Sequence, residues 1–178
     1  MVFLISFIPS FYYSFKPTKT VATSRAEGKV GGPVYQPNYN SQLPKENRLL
    51  INSIGLDTPI HEALSGDHEE ALRQGVWRVP EFGSPANREK SLILTAHRFG
   101  YLKWSNSYRR QNSFYNLAKL KKGCIVGGES AAGTYIYEIY GLDEAEEVLD
   151  YSADLILYTC KFLDSSVRIF RYGRLLEV

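Results

Sequence analysis

The chain has 178 residues, enough for one domain with an additional segment. Its net charge of +2 is too small to make nucleic acid an expected partner, and we predict none. Only two cysteines are present, Cys124 and Cys160, which excludes a disulfide-rich scaffold. The spacings typical of zinc ligands, Cys-x-x-Cys and His-Glu-x-x-His, are missing. The sequence therefore predicts a globular domain without a bound metal.

The first 15 residues are apolar and carry no charged side chain before Lys16. A bilayer span needs about 20 apolar residues, and this segment also lacks the basic start of a signal peptide. The basic residues that follow it would, by the positive-inside rule, keep the rest of the chain in the cytoplasm. We interpret residues 1–15 as the remnant of a membrane anchor, while an apolar strand or a disordered tail stays open.

Residues 16–47 are rich in Pro, Gly, Ser, Asn and Lys, with strong breakers at Gly31-Gly32-Pro33 and Gln36-Pro37-Asn38. This composition is typical of a flexible tether without a core. From residue 48 to residue 178 the pattern changes to short apolar segments, which predicts the folded domain.

Short β-branched or aromatic segments separated by turn residues indicate strands in this domain. They are 49–51, 91–94, 135–140, 155–158 and 167–170. Two short helices are predicted, 68–74 with Asp67 as its cap and 114–121 with Ser113 as its cap. Many strands and few helices predict an all-β fold, either a closed barrel or a sandwich.

Three side chains could together perform thiol chemistry, which requires a thiolate, a proton shuttle and positive charge near the oxyanion. Cys160 ends an apolar strand, where a rigid element meets an accessible loop. His97 ends a second apolar strand, and Arg168 begins a third. Taken singly, each is more often structural: a cysteine is usually a small buried hydrophobe.

The surrounding sequence strings favour the catalytic interpretation. Thr95-Ala96-His97-Arg98 resembles the Gly-His-Arg segment of sortases. Tyr158-Thr159-Cys160 resembles their Thr-x-Thr-Cys strand end, and Arg168-Ile169-Phe170-Arg171-Tyr172-Gly173 resembles their Arg-Leu-x-Val-x-Gly strand. The order His, Cys, Arg also agrees, and the resemblance covers about residues 44–178.

The resemblance implies a closed eight-stranded β-barrel and a cell-surface cysteine transpeptidase anchored in the membrane by its N-terminus. Cys160 would attack the carbonyl between Thr and Gly of a Leu-Pro-x-Thr-Gly-like sorting motif on a surface protein. His97 would exchange protons with the leaving and incoming amines, and Arg168 would stabilise the oxyanion or hold the substrate. Thr159 would help to position the substrate or the oxyanion. The acceptor would be an amine of the cell wall or a pilin lysine.

The resemblance implies no cofactor for the chemistry. Some sortases bind calcium, but no acidic cluster in this sequence supports a calcium site. Glu69 and Glu70, like the acidic stretch 144–147, are interpreted as solvated charge, and His61 and His68 as surface residues.

Some features depart from the family pattern. Ala96 replaces the usual glycine before the histidine, and Cys124 occupies a position that is usually acidic, where we predict a structural role. The insertion 101–112 could border the substrate groove, but a solvated loop is favoured. Arg171 competes with Arg168, yet lies three residues along the same strand and must face the opposite side.

Two other functions remain open. A hydrolytic cysteine peptidase on the same fold would use water as the acceptor. A non-catalytic β-barrel binding module would contain an inert Cys160.

Overall fold

The strands and helices are seen in a computed structural model, which describes residues 46–84, 87, 89–130 and 133–177. Eight strands are present in these ranges: β1 Arg48–Ile51, β2 Leu56–Glu62, β3 Val76–Arg78, β4 Leu92–Thr95, β5 Ile125–Ser130, β6 Gly133–Ala145, β7 Leu155–Cys160 and β8 Arg168–Glu177. The helices are α1 His68–Gln74, α2 Asn106–Asn112 and short 3₁₀ helices at Asn52–Ile54, Ser65–Asp67 and Phe114–Lys119. The all-β prediction is confirmed.

The strands close into a barrel in the order β1-β2-β3-β4-β7-β8-β6-β5. Closure leaves no exposed sheet edge and confirms the barrel over the sandwich. Two neighbouring pairs in this described barrel are parallel, β2 with β3 and β4 with β7, and the other pairs are antiparallel. A parallel pair requires a crossover connection, and α1 lies within the one between β2 and β3.

Side chains alternate between the two faces of each strand, as the period of a strand requires. The inward-facing residues form one cluster, which we call the barrel core; it includes Leu49, Ile51, Leu56, Val76, Leu94, Val126, Tyr137, Ile139, Leu155 and Leu157. Phe114 and Leu117 of the 3₁₀ helix Phe114–Lys119 belong to the same cluster. The barrel is therefore filled by side chains and has no open channel through this part.

A second buried cluster, which we call the outer cluster, lies on the other face of β3, β4, β7 and β8. It contains Ala71, Trp77, Val79, Ile93, Ala153, Ile156, Phe170 and Tyr172. Ala71 belongs to α1, which packs against β2 and β3, so this helix covers part of the outer face of the barrel. Its position brings Glu69 close to His97, which follows β4.

The helix α1 begins and ends where the sequence predicts, with Gly75 after it. Its predicted cap is wrong in detail, because the Asp67 side chain makes no capping hydrogen bond. The second predicted helix is a 3₁₀ helix that ends at Lys119, and the Ser113 hydroxyl donates to the Arg109 carbonyl instead of capping it.

The predicted solvated loop 101–112 contains a helix, α2, whose Ser105 cap accepts a hydrogen bond from the Tyr108 N–H at 3.0 Å. The strand predicted at 135–140 extends from Gly133 to Ala145, and the last strand reaches Glu177. His61 is also not a plain surface residue, because it belongs to β2 and its Nε2 is buried without a hydrogen bond.

The predicted apolar segment 1–15 and nearly all of the predicted tether 16–47 lie outside the described residues. Within the described ranges, no helix is long and apolar enough to cross a bilayer.

Candidate active site

The ends of β4 and β7 bring His97 and Cys160 to the same level of the barrel. The two strands pair in parallel, with Thr95 opposite Tyr158. Two contacts continue this register past the strand ends: Thr159 Oγ1 donates to the Ala96 carbonyl at 2.8 Å, and the Arg98 guanidinium donates to the Lys161 carbonyl. Both contacts join residues that are 63 positions apart in the chain, as His97 and Cys160 are.

The antiparallel pairing of β7 with β8 adds the third candidate. Cys160 pairs directly with Arg168, and the Lys161 N–H donates to the Val167 carbonyl at 3.0 Å where the strands separate. The three candidate residues of the sequence, 97, 160 and 168, therefore lie on three adjoining strand ends.

The face that these residues share follows from the alternation along each strand. On β7, Ile156 belongs to the outer cluster and Tyr158 packs against it, so Cys160 has the same orientation. Phe170 gives Arg168 that orientation on β8, and Ile93 gives it to His97 beyond β4. All three candidate side chains belong to the outer face.

His97 is partly buried. Its neighbours are side chains of α1 and of the segment that follows His97 in the chain. Its Nε2 lies 3.3 Å from the Tyr101 hydroxyl and 3.8 Å from Glu69 Oε1. The rings of Tyr101 and Trp104 pack against the imidazole, with centroids 5.3 and 6.3 Å away. Burial lowers the pKa of His97, and the nearby Glu69 carboxylate opposes this shift.

Cys160 is a partly exposed free thiol. The loop that follows it carries Phe162 and Leu163, whose side chains are 60% and 75% exposed. With Phe99, these residues line an open depression of about 550 Å³ beside the strand ends. The loop that follows Cys160 thus forms part of a shallow surface that an extended peptide could reach.

The two arginines of β8 differ in their surroundings. Arg168 donates to the Ser165 carbonyl in the loop next to Cys160. Arg171 faces the barrel core, is 6% exposed, and donates to the carbonyls of Ala118 and Leu120, each at 3.0 Å. Burial lowers the pKa of Arg171. The geometry places Arg168, and not Arg171, on the face that carries the thiol.

Thr159 is 1% exposed, and its hydroxyl donates to the Ala96 carbonyl. The predicted contact with substrate stays a prediction. The observed hydrogen bond supports a different role, in which Thr159 ties the end of β7 to the end of β4 and so keeps Cys160 beside His97.

Sequence reasoning missed two residues of this region. Glu69 was interpreted as solvated charge and the segment 101–112 as a loop, yet the Tyr101 hydroxyl donates to Glu69 Oε1 directly beside His97. The aromatic residues of that segment were its one available signal, because three aromatic side chains are unusual in a solvated loop.

Cys124 is partly buried against the barrel core, and its N–H donates to the Lys121 carbonyl at 3.2 Å. Across the described part of the chain, no three His, Cys, Asp or Glu side chains are grouped so that they could hold a metal ion. The structural role of Cys124 and the absence of a cofactor stay predictions.

Comparison with known proteins assigns the fold. A sortase-domain family model matches residues 49–176. The solved structure of sortase C1 from Streptococcus agalactiae is similar, with 24% identity, 75% of this chain and 69% of that chain covered, and a TM-score of 0.61.

Two further solved structures share the fold. Sortase C-1 from Actinomyces oris has 22% identity, coverage of 76% of both chains and a TM-score of 0.61. A lid mutant of sortase A from Corynebacterium diphtheriae has 16% identity, coverage of 78% of this chain and 74% of that chain, and the same TM-score of 0.61. A comparison with curated proteins finds no match. Because the family match extends over most of the chain, and the barrel is that of the solved sortases, the chain belongs to the sortase family of cell-surface cysteine transpeptidases.

Proposed function

We propose that this sortase cleaves a Leu-Pro-x-Thr-Gly-like sorting motif between Thr and Gly and transfers the Thr carbonyl to an amine. The observation that carries the proposal is the register of β4, β7 and β8, which places His97, Cys160 and Arg168 on adjoining strand ends of one face. The order of these residues in the sequence is that of the family motifs.

The first half-reaction breaks the Thr–Gly bond. The Cys160 thiolate attacks the Thr carbonyl carbon, and the electron pair of the C=O bond moves to the oxygen. The Arg168 guanidinium stabilises that oxyanion, because it stays charged and offers several donors in a fixed fork. The C–N bond then breaks, His97 gives its proton to the leaving amine, and a thioester remains on Cys160.

The second half-reaction restores the enzyme. An incoming amine attacks the thioester carbonyl while His97 accepts a proton from it. The C–S bond breaks, an amide forms, and the thiolate and imidazolium are regenerated. This chemistry uses side chains of the chain alone, and we propose that no cofactor takes part.

The surroundings of the thiol support a peptide substrate. The depression that the loop after Cys160 helps to form is open and mostly apolar, with Phe99, Phe162 and Leu163 in its lining. Such a surface suits an extended peptide with bulky apolar side chains, which a sorting motif provides through its Leu and Pro.

The proposed partners are surface proteins with a C-terminal sorting motif. One similar solved structure is titled "Sortase C1 of GBS Pilus Island 1", and for this chain a pilin lysine is accordingly one proposed acceptor. A cell-wall amine is the other. Residues 1–15 would attach the enzyme to the membrane at the extracytoplasmic surface.

The deciding experiment incubates the protein with a Leu-Pro-x-Thr-Gly peptide and an amine, and identifies the products by mass spectrometry. We expect the Thr–amide product and a thioester adduct on Cys160. Free acid as the sole product would instead assign the chain as a hydrolytic peptidase on the same fold.

A second experiment separates an enzyme from an inert binding module. A thiol reagent at mild pH is added to the native Cys124→Ala variant, so that Cys160 is the thiol that reacts. We expect stoichiometric labelling of the native protein. Labelling that occurs only after unfolding would favour the inert module.

A further inference from the structure

A hydrogen-bond chain runs from the imidazole of His97 to a carboxylate on α1. The Tyr101 hydroxyl donates its proton to Glu69 Oε1. Its oxygen lies 3.3 Å from His97 Nε2. Since the phenol proton is given to the carboxylate, the phenol oxygen must accept a proton from the imidazole, so Nε2 carries the hydrogen.

We propose that Tyr101 and Glu69 are positioning residues, which fix the His97 proton on Nε2 and make Nδ1 the nitrogen that exchanges protons with Cys160 and the substrate amines. A neutral imidazole has one protonated and one basic nitrogen. The hydrogen-bond partner of the protonated nitrogen therefore determines which nitrogen is left as the base. The inference rests on the proposed transpeptidase function and adds two residues to it.

The segment that presents Tyr101 is held in place by its own contacts. Arg109 donates to the carbonyls of Phe99, Tyr101 and Trp104 at 2.6, 3.1 and 3.3 Å. A single guanidinium thus binds three carbonyls of one segment. These bonds fix the backbone from which the Tyr101 side chain extends.

Gly100 allows this segment to turn back on itself. Its φ of 65° is in the left-handed region, and a Cβ there would lie 2.1 Å from the Trp104 ring. The turn lets Trp104 pack against Tyr101 at a centroid distance of 5.3 Å while both rings contact His97. The imidazole is therefore held by ring packing as well as by its hydrogen bond.

The charges around His97 come from several elements. Burial is the main cause that lowers the pKa of His97; on α1, Glu69 raises this pKa and His68 lowers it slightly. Arg73, also on α1, lies with its guanidinium carbon 5.5 Å from the centre of the Tyr101 ring. Cys160 and Arg168 approach from β7 and β8.

The Tyr101 phenol keeps its proton at neutral pH. Burial raises its pKa, and the bond to Glu69 raises it further, to about 12. The group can therefore donate to Glu69 and accept from His97 throughout the physiological pH range, as a fixed relay requires.

The test compares Tyr101→Phe and Glu69→Gln with wild type in the full chain. The imidazole ¹⁵N chemical shifts report which ring nitrogen of His97 carries the proton. For the neutral form of His97 we expect Nε2–H in wild type and a mixture of tautomers in Tyr101→Phe, which keeps the ring but removes the hydroxyl. In this variant kcat should fall about tenfold with little change in KM, a part of the 10²–10⁴-fold effect of general acid–base catalysis.

Glu69→Gln should give a different signature. The amide oxygen can still accept the Tyr101 proton, so the Nε2–H tautomer should persist. The carboxylate charge is lost, so the NMR titration of His97 should move to lower pH. If Tyr101→Phe did not fold, Glu69→Gln would still test the hydrogen-bond chain. An unchanged titration of His97 in Glu69→Gln would overturn the positioning role.

Two control variants have matched chemistry. Tyr108→Phe removes a hydroxyl of α2 that donates to the Gln74 carbonyl at 2.7 Å, and Glu70→Gln neutralises the next residue of α1. Neither should change the His97 tautomer, its titration or the turnover. Equal effects of a control and its test variant would overturn the positioning role.

The outcomes also separate this inference from the proposed function. Wild-type protein without transpeptidation would overturn the function. Wild-type transpeptidation with full activity in Tyr101→Phe, or an unchanged tautomer in that variant, would overturn the positioning role alone.

Discussion

The two faces of β7 and β8 have different tasks within the same few residues. On the inner face, Thr159 and Arg171 are buried, and their side chains donate hydrogen bonds to the backbone carbonyls of Ala96, Ala118 and Leu120. On the outer face, Cys160 and Arg168 are only partly buried and border an open loop. The strand period of two therefore separates residues that hold the strand ends from residues that the proposed chemistry uses.

This comparison is tested most strongly by removing the nucleophile. Cys160→Ala should reduce transpeptidation by at least about a thousandfold, because no thioester can form. The side chain is partly exposed and belongs to neither buried cluster, so the melting temperature should change little. Both are measured by a peptide–amine assay and thermal unfolding. Retained turnover would contradict the mechanism.

Arg168→Lys should lower kcat/KM about a hundredfold, since the charge persists but the fork of donors is lost. Its free energy of unfolding should stay close to wild type. The matched variant Arg171→Lys should show the reverse pattern, with a loss of stability. Wild-type rates for Arg168→Lys would move the catalytic role to another residue.

Arg171→Met removes the donors to the Ala118 and Leu120 carbonyls. We expect a loss of about 2 kcal/mol in the free energy of unfolding, the cost of leaving buried acceptors unpaired. The measurement is urea denaturation, with the slope of the transition checked against wild type. A variant as stable as wild type would show that the inner face does not depend on this arginine.

Thr159→Val should cost about 1 kcal/mol of stability, because one buried hydrogen bond is lost at nearly constant volume. Thr159→Ser keeps the hydroxyl and is the control. Denaturation curves of Thr159→Val and Thr159→Ser show whether stability is lost together with the hydroxyl. A large change in KM in Thr159→Val, without a change in stability, would support the substrate contact predicted from sequence.

The smallest expected effect is the pH dependence contributed by His97. Its pKa is lowered in the folded state, so the unfolded state binds more protons as the pH falls through the ordinary histidine range near about 6.5. Stability should therefore rise with pH there, and His97→Gln should reduce the slope by less than about 1.4 kcal/mol per pH unit, the value for one proton. An unchanged slope would contradict the shift.

Much of the fold could be predicted from the sequence. Apolar segments bounded by turn residues marked the strands that carry Cys160 and Arg168, and the alternation along β8 separated Arg168 from Arg171. Those features depend on neighbours in the chain, which a sequence displays directly.

The contacts around His97 could not be predicted in the same way. The pair Glu69 and Glu70 has the composition of a solvated helix face, and nothing local indicates which carboxylate meets Tyr101. That contact depends on the packing of α1 against β2 and β3 and on the turn at Gly100, and neither is determined by the residues around Glu69.

The parallel pairing of β4 with β7 has a consequence for the newly made chain. His97 and Cys160 are 63 positions apart in the chain and meet only through strand pairing, which is a slow, non-local step in folding. The reactivity proposed for Cys160 is thus withheld until the barrel has closed, and a misfolded copy would have no imidazole beside its thiol.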